Sequence, residues 1–199
     1  DELLYMDIVA SLYGRNSLLE IISKTSKEIF IPLTVSGGLR TVGDVRNVLN
    51  AGADKVALNT AAINNPELIK DLSMRFGSST IVISIEAKKN GDSYEAYTDN
   101  GREKTGKNAI QWAVQAIELG AAEILVTSID RDGTGKGFDL DLIKAISSSV
   151  RVPVIACGGA GKQEHAYEVA KYSNANGIAI ASMFHYDLFS EEKIRNNNN

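Results

Sequence analysis

Two short runs, IPLTVSGGLR at 31–40 and VPVIACGGAG at 152–161, each set a Pro, an apolar stretch and a Gly-Gly pair in the same order. From Pro32 to Pro153, and from Gly37 to Gly158, the interval is 121 residues. A Gly-Gly at the end of a buried strand lets backbone come close to a ligand, because no side chain stands in the way. Where a helix begins just beyond, its free N–H groups and its dipole favour an anion. In each copy the next strand also ends on small or polar residues, Asn59 and Thr60 in the first, Ala181 and Ser182 in the second. The chemistry these types spell is phosphate binding, once around Gly37 and Gly38 and once around Gly158 and Gly159. Two such sites on opposite sides of one mouth suit an elongated ligand with a phosphate at each end. A tight turn explains a single Gly-Gly equally well; it explains the symmetric pair less well.

The elements that must position these residues repeat at nearly the same interval. NAGADKVALNT at 50–60 matches NANGIAIAS at 174–182, and DELLYMDI at 1–8 matches AEILVTSI at 122–129. A period this long is no solenoid unit. It fits two halves of a barrel with pseudo-two-fold symmetry. Apolar runs predict strands at 3–7, 30–35, 54–59, 80–86, 123–129, 152–157 and 177–182. Amphipathic segments predict helices at 16–28, 41–51, 65–76, 108–119, 139–149, 163–173 and 186–194. Buried strands alternating with helices indicate a parallel sheet covered on its outside. The rhythm is that of an α/β (β/α)8 barrel with half-barrel duplication and one β/α unit missing. In TIVISIE, Ile81, Ile83 and Ile85 face the helices while Val82, Ser84 and Glu86 face the barrel interior. Asn90-Gly91 and Asn100-Gly101 mark turns of a hairpin-like segment at 90–106.

Composition bounds the rest. The chain has 199 residues, 44% hydrophobic and 23% charged, with a formal net charge of −4. That describes one globular domain, residues 1–195, with a polar tail at 196–199. Scattered Lys and Arg argue against nucleic acid, and no apolar run approaches the ~20 residues of a membrane span. The single cysteine, Cys157, excludes an intrachain disulfide and suggests a reducing, cytoplasmic setting; on a buried strand it reads as packed rather than reactive. DELLYMDIVAS lacks a signal peptide's basic start and reads as a strand entered in mid-stream. His165 and His185 have no metal-ligand spacing and read as lying away from the mouth, and Trp112 reads as helix packing. Neither a metal nor a cofactor is expected.

DELLYMDI, IPLTVSGGLR, GADKVALNTAAINNPELI, GAAEILVTSIDRDGTGKGFD, VPVIACGGAGKQEH and IAIASMFH together resemble the cyclase subunits of imidazole glycerol phosphate synthase. The likeness covers essentially the whole chain, and TSIDRDGT at 127–134 is its most specific run. It implies a lyase–cyclase of histidine biosynthesis. Ammonia from a separate glutaminase subunit, the partner in a heterodimer, would cross the barrel core to a bis-phosphorylated ribulosyl-formimino carboxamide ribotide. The products would be imidazole glycerol phosphate and aminoimidazole carboxamide ribotide.

The resemblance also implies roles. The family uses two aspartates for proton transfer, on its first and fifth strands. Residue 1 corresponds to the start of the second strand, so the expectation is a fragment lacking one of those acids. At the fifth strand Glu86 stands where the cyclases have Asp, keeping the carboxylate and moving it by roughly 1 Å. Asp7, Thr127, Asp132 and Gly133 join the substrate- and phosphate-binding set. Glu2, Lys55 and Glu123, at strand beginnings, correspond to a charged ammonia gate. SIEAKK and YEAYTDNGREKTG also resemble a paralogous group serving sugar amidation in surface polysaccharide synthesis, where the barrel would conduct ammonia. A phosphosugar isomerase of the sister barrel is the third and weakest likeness.

Overall fold

The structure, a computed structural model, describes residues 1–7 and 15–185. The helix expected at 186–194 and the tail at 196–199 lie outside those residues. In chain order the strands are β1 (Leu3–Met6), β2 (Leu33–Ser36), β3 (Lys55–Leu58), β4 (Ile81–Asn90), β5 (Ser93–Thr98), β6 (Glu103–Asn108), β7 (Glu123–Ser128), β8 (Val154–Cys157) and β9 (Gly177–Ala179). The helices are α1 (Arg15–Glu28), α2 (Val42–Asn50), α3 (Thr60–Asn64), α4 (Glu67–Phe76), α5 (Ala109–Glu118), α6 (Leu140–Ser147), α7 (Gln163–Tyr172) and α8 (Ser182–His185).

Seven strands run parallel in the order β1-β2-β3-β4-β7-β8-β9, with β5 and β6 attached as a hairpin to the far end of β4. Each strand's inward residues alternate with outward ones, and the two sets build two cores. Ile81, Ile83 and Ile85 pack outward among Ile22, Val45, Leu72 and Trp112 of the helices. Inward, Ala57, Val82 and Leu125 meet Leu4 of β1 and Ala179 of β9 in one small cluster. First and last strands of the path share that cluster, so the sheet is curled almost into a closed α/β barrel. Among the described residues, β1 pairs with β2 alone and β9 with β8 alone.

The duplication is visible in the backbone. β2 and β8 occupy residues 121 apart at both ends, α2 and α7 start 121 residues apart, and the short α3 and α8 follow the same rule within a residue. β4 is the one strand of the barrel path without a described copy. The predicted strand at 30–35 begins only at Leu33. Phe30 is 99% exposed, and Pro32 can accept from Leu3 but has no N–H to give. The α3 and α8 turns were absent from the periodicity because each is too short to show one. The hairpin forms where its turn signals sit, its first arm being the continuation of β4 itself.

Candidate active site

A cavity of about 480 Å³ opens at the C-terminal ends of β1 to β4. Asp7, Gly37, Gly38, Asn59, Thr60, Ser84 and Glu86 line it, together with Arg40 and the hairpin residues Asp99 and Asn100. Glu86 points inward, as its parity requires. The hairpin turn folds back over it: Asp99 and Asn100 take positive φ, the Asp99 N–H donates to Thr60 Oγ1 at 3.1 Å, and the Asn59 amide donates to the Tyr97 carbonyl at 3.1 Å. Burial is the main influence on Glu86 and pushes its carboxyl up. The Gly101 N–H pulls against this, Asp132 and Asp99 push the same way as burial, and the Asn59 side chain pulls back weakly.

The floor of the cavity holds polar atoms that the protein itself does not satisfy. Asn59 Oδ1, Ser84 Oγ and Glu86 Oε2 are buried without a hydrogen-bond partner. Thr127 Oγ1 is buried as well, with only the weakly polar Cys157 thiol beside it. An unsatisfied buried polar atom costs about 1–3 kcal/mol, so several at one spot mark where a polar ligand belongs. Burial pushes the Cys157 thiol up, which keeps it neutral.

The first glycine pair sits in this cavity, but the reason for glycine is partly different from the one expected. A Cβ on Gly37 would overlap the Asp7 carbonyl, so the residue is glycine because another backbone crosses it. The start of α2 is partly capped from within. Thr41 Oγ1 accepts from the Asp44 N–H at 3.2 Å, and Asp44 Oδ2 accepts from the N–H groups of Arg40 and Thr41 at 3.0 and 2.9 Å. This capping box takes the N–H groups of Arg40, Thr41 and Asp44 but not those of Val42 and Gly43 in the first turn. For an anion there remain these two, the Arg40 side chain, Thr60 and the backbone of Gly38.

The second pair lies across the mouth, outside that cavity. A Cβ on Gly158 would lie 3.3 Å from both Asp132 Cβ and the Ser128 carbonyl, where Ser128 is the counterpart of Asp7 at the 121-residue interval. The loop after β7 then runs antiparallel against the second Gly-Gly. The Gly137 N–H donates to the Gly159 carbonyl at 2.8 Å, and a Cβ on Gly159 or Gly161 would strike the backbone of Gly137 or Gly135. Thr127, Asp132, Gly133, Gly158, Gly159, Ala181 and Ser182 therefore gather on this side. The expectation that both histidines stand away from the mouth is corrected here. His165 is buried, and its Nδ1 accepts from the Gly161 N–H at 3.1 Å; His185 ends α8, which follows β9 at the same face. The sequence signal was available, because His165 falls 121 residues after Asp44.

At the opposite end of the barrel Lys55 donates to Glu123 at 2.7 Å and to Glu2 at 3.2 Å. Burial alone would lower the Lys55 pKa, but the bonds to Glu123 and Glu2 outweigh it and the net shift is upward. A raised lysine stabilises the fold fully below its unfolded pKa and loses that contribution as pH climbs through the folded value, here above 10.5. Glu123 is only 12% exposed, so Lys55→Met leaves a poorly solvated carboxylate beside Glu2. The expected loss is about 1–2 kcal/mol, or roughly 2–8 °C in melting temperature by calorimetry at pH 7. The difference from the parent should shrink as pH rises through the folded lysine pKa, above 10.5.

Two cavity residues, Arg40 and Asp99, were not named from sequence, and Ser84 and Asn100 were named for parity and turn but not for the site. The hairpin was legible, but not the direction in which it leans. Among the described residues no helix is long and apolar enough to cross a membrane.

Comparison with known proteins bears on this geometry. A family model described as histidine biosynthesis protein matches residues 1–190. Imidazole glycerol phosphate synthase subunit HisF of Gluconacetobacter diazotrophicus is 47% identical over 98% of this chain and 76% of its own length. The subunit of the same name from Legionella pneumophila is 58% identical over 82% of this chain and 78% of its own. With a barrel, a duplicated glycine-rich mouth and these relatives in agreement, the chain belongs to the histidine biosynthesis protein family and, within it, to the HisF group of imidazole glycerol phosphate synthase subunits.

Proposed function

We propose that this chain is the cyclase subunit of an imidazole glycerol phosphate synthase, a lyase of histidine biosynthesis. It would use ammonia to convert a bis-phosphorylated ribulosyl-formimino carboxamide ribotide to imidazole glycerol phosphate and aminoimidazole carboxamide ribotide. The observation that carries this reading is Glu86: a carboxyl pushed upward by burial, set among unsatisfied polar atoms between two glycine-rich sides of one mouth. Ammonia attack, bond cleavage and ring closure each move protons, and a carboxyl whose pKa is raised by burial is better suited to give and take them than a solvated one. Both relatives carry the synthase name, which favours this reading over the sugar-amidation conduit and the isomerase.

The two phosphates are assigned to Gly37, Gly38, Asn59, Thr60 and Arg40 at one end, and to Asp132, Gly133, Gly158, Gly159, Ala181 and Ser182 at the other. Asp7 and Thr127 line the space between. The word subunit in the relatives' names points to a complex. We assign its other member as a glutaminase docking on the face that carries Glu2, Lys55, Glu123 and the exposed Phe30. The one-sided pairing of β1 and β9 leaves room for a further strand, which we take to complete the single barrel domain and to bring the second acid.

The test supplies the whole natural protein with the ribotide and ammonium chloride, without glutaminase, and follows imidazole glycerol phosphate by chromatography. Product is expected, and phosphate soaked into crystals should occupy both sides of the mouth. Absence of product under these conditions would remove the cyclase reading.

A further inference from the structure

The two halves differ at one buried position that the repeat brings into register. In the first half Asp44, in the first turn of α2, accepts from the N–H of Arg40, four residues back. In the second half His165, in the first turn of α7, accepts from the N–H of Gly161, again four residues back. The same backbone group is held, by a carboxylate in one copy and by imidazole Nδ1 in the other. The histidine does more than its counterpart, because its ring also lies under the incoming loop. A Cβ on Gly137 would sit 3.4 Å from His165 Cδ2. One side chain therefore bonds to the Gly159–Gly161 segment and faces Gly137 of the Gly135–Gly137 segment across a gap that a single methyl would fill. The two segments are joined by the Gly137–Gly159 backbone bond, and a Cβ on Gly159 or Gly161 would strike the backbone opposite.

We propose that His165 is the positioning residue of the second phosphate side: it docks the loop after β7 onto the second Gly-Gly and thereby fixes the backbone that grips that end of the substrate. It does not itself touch the ligand. The argument rests on the assignment of a phosphate to this side of the mouth. Glycine-rich backbone has the largest conformational entropy to lose on ordering. A loop of three glycines in five residues, 133, 135 and 137, therefore needs an external tie, and His165 supplies it through one acceptor atom and one ring face.

The chemistry of that acceptor gives the test. Asparagine places its Oδ1 near the position of Nδ1, whereas glutamine places its Oε1 near that of Nε2. In the whole natural protein, binding of inorganic phosphate is followed by 31P NMR titration, and KM and kcat for the ribotide are measured with ammonium. His165→Ala and His165→Gln should each weaken phosphate at the second side and raise KM about tenfold, with kcat within about twofold. His165→Asn should restore both to within about twofold, and phosphate at the first side should be unchanged in all three. Equal behaviour of Asn and Gln, or a fall in kcat at constant KM, would overturn the positioning role. If the parent protein shows no phosphate at the second side, the two-phosphate assignment falls and this proposal with it.

Discussion

Glu86→Gln is expected to lower ammonium-dependent turnover by about 10²–10⁴-fold and, in the same protein, to raise the melting temperature. The two effects have one cause. Burial and the nearby Asp132 and Asp99 make the ionised carboxylate costly in the fold, which is why its pKa lies above 4.5. A carboxyl with a raised folded pKa contributes its stability fully below the unfolded value and loses it as pH rises through the folded one. At pH 7 the parent is thus destabilised by the very charge its chemistry uses. Glutamine has nearly the same shape and never ionises, so it should gain on the order of 1 kcal/mol, or about 2–4 °C. The gain should disappear below pH 4.5, where the parent is protonated in both states. Glu86→Asp, which supplies the acid that the resemblance to the cyclases implies at this position, should keep or increase activity. Turnover unchanged in Glu86→Gln would take this residue out of the proton transfers and leave the barrel as an ammonia conduit.

Gly159→Ala should disable the second side of the mouth. Gly159 has φ of +104°, which an L side chain rarely adopts, and its Cβ would overlap the Gly137 carbonyl. Gly91 is a built-in control: its φ is +59°, but nothing lies within 4 Å of the Cβ it would carry. Gly91→Ala should therefore cost about 1 kcal/mol for conformation alone. Gly159→Ala adds the clash, for a total of about 2–4 kcal/mol, and by pushing out the loop should raise KM for the ribotide at least about tenfold. Urea unfolding and steady-state kinetics on both variants separate strain from the loss of the loop. Equal costs at the two sites would mean that the loop after β7 yields without consequence.

The barrel was legible because its information is local and repeated. Alternation in TIVISIE placed Glu86 inward, and the first Gly-Gly pair does line the cavity beside it. What the sequence withheld depends on chain crossings. Gly37 and Gly159 look alike as ligand-facing glycines, yet each is pressed by a backbone from elsewhere in the chain, Asp7 in one case and Gly137 in the other. The Asp44 capping box could have been read from its Thr-x-x-Asp spacing, and it narrows the helix start to the N–H groups of Val42 and Gly43. His165 was placed away from the mouth because only metal-ligand spacing was sought for it, and its register with Asp44 across the repeat went unread. Arg40 and Asp99 come together across the cavity only through the lean of the hairpin, which turn signals do not encode.

β4 stands between two copies of a three-strand unit and has no described copy of its own, and it carries Glu86. Grips that come in like pairs are ambidextrous: a two-ended ligand inserted back to front would be held at both ends and present the wrong atoms to Glu86. Direction must therefore be imposed by whatever breaks the likeness, namely the off-centre hairpin over β4 and the aspartate-for-histidine exchange between the two halves. A duplicated scaffold of this kind carries a risk of self-inhibition by reversed substrate, and its unpaired parts are where that risk is controlled.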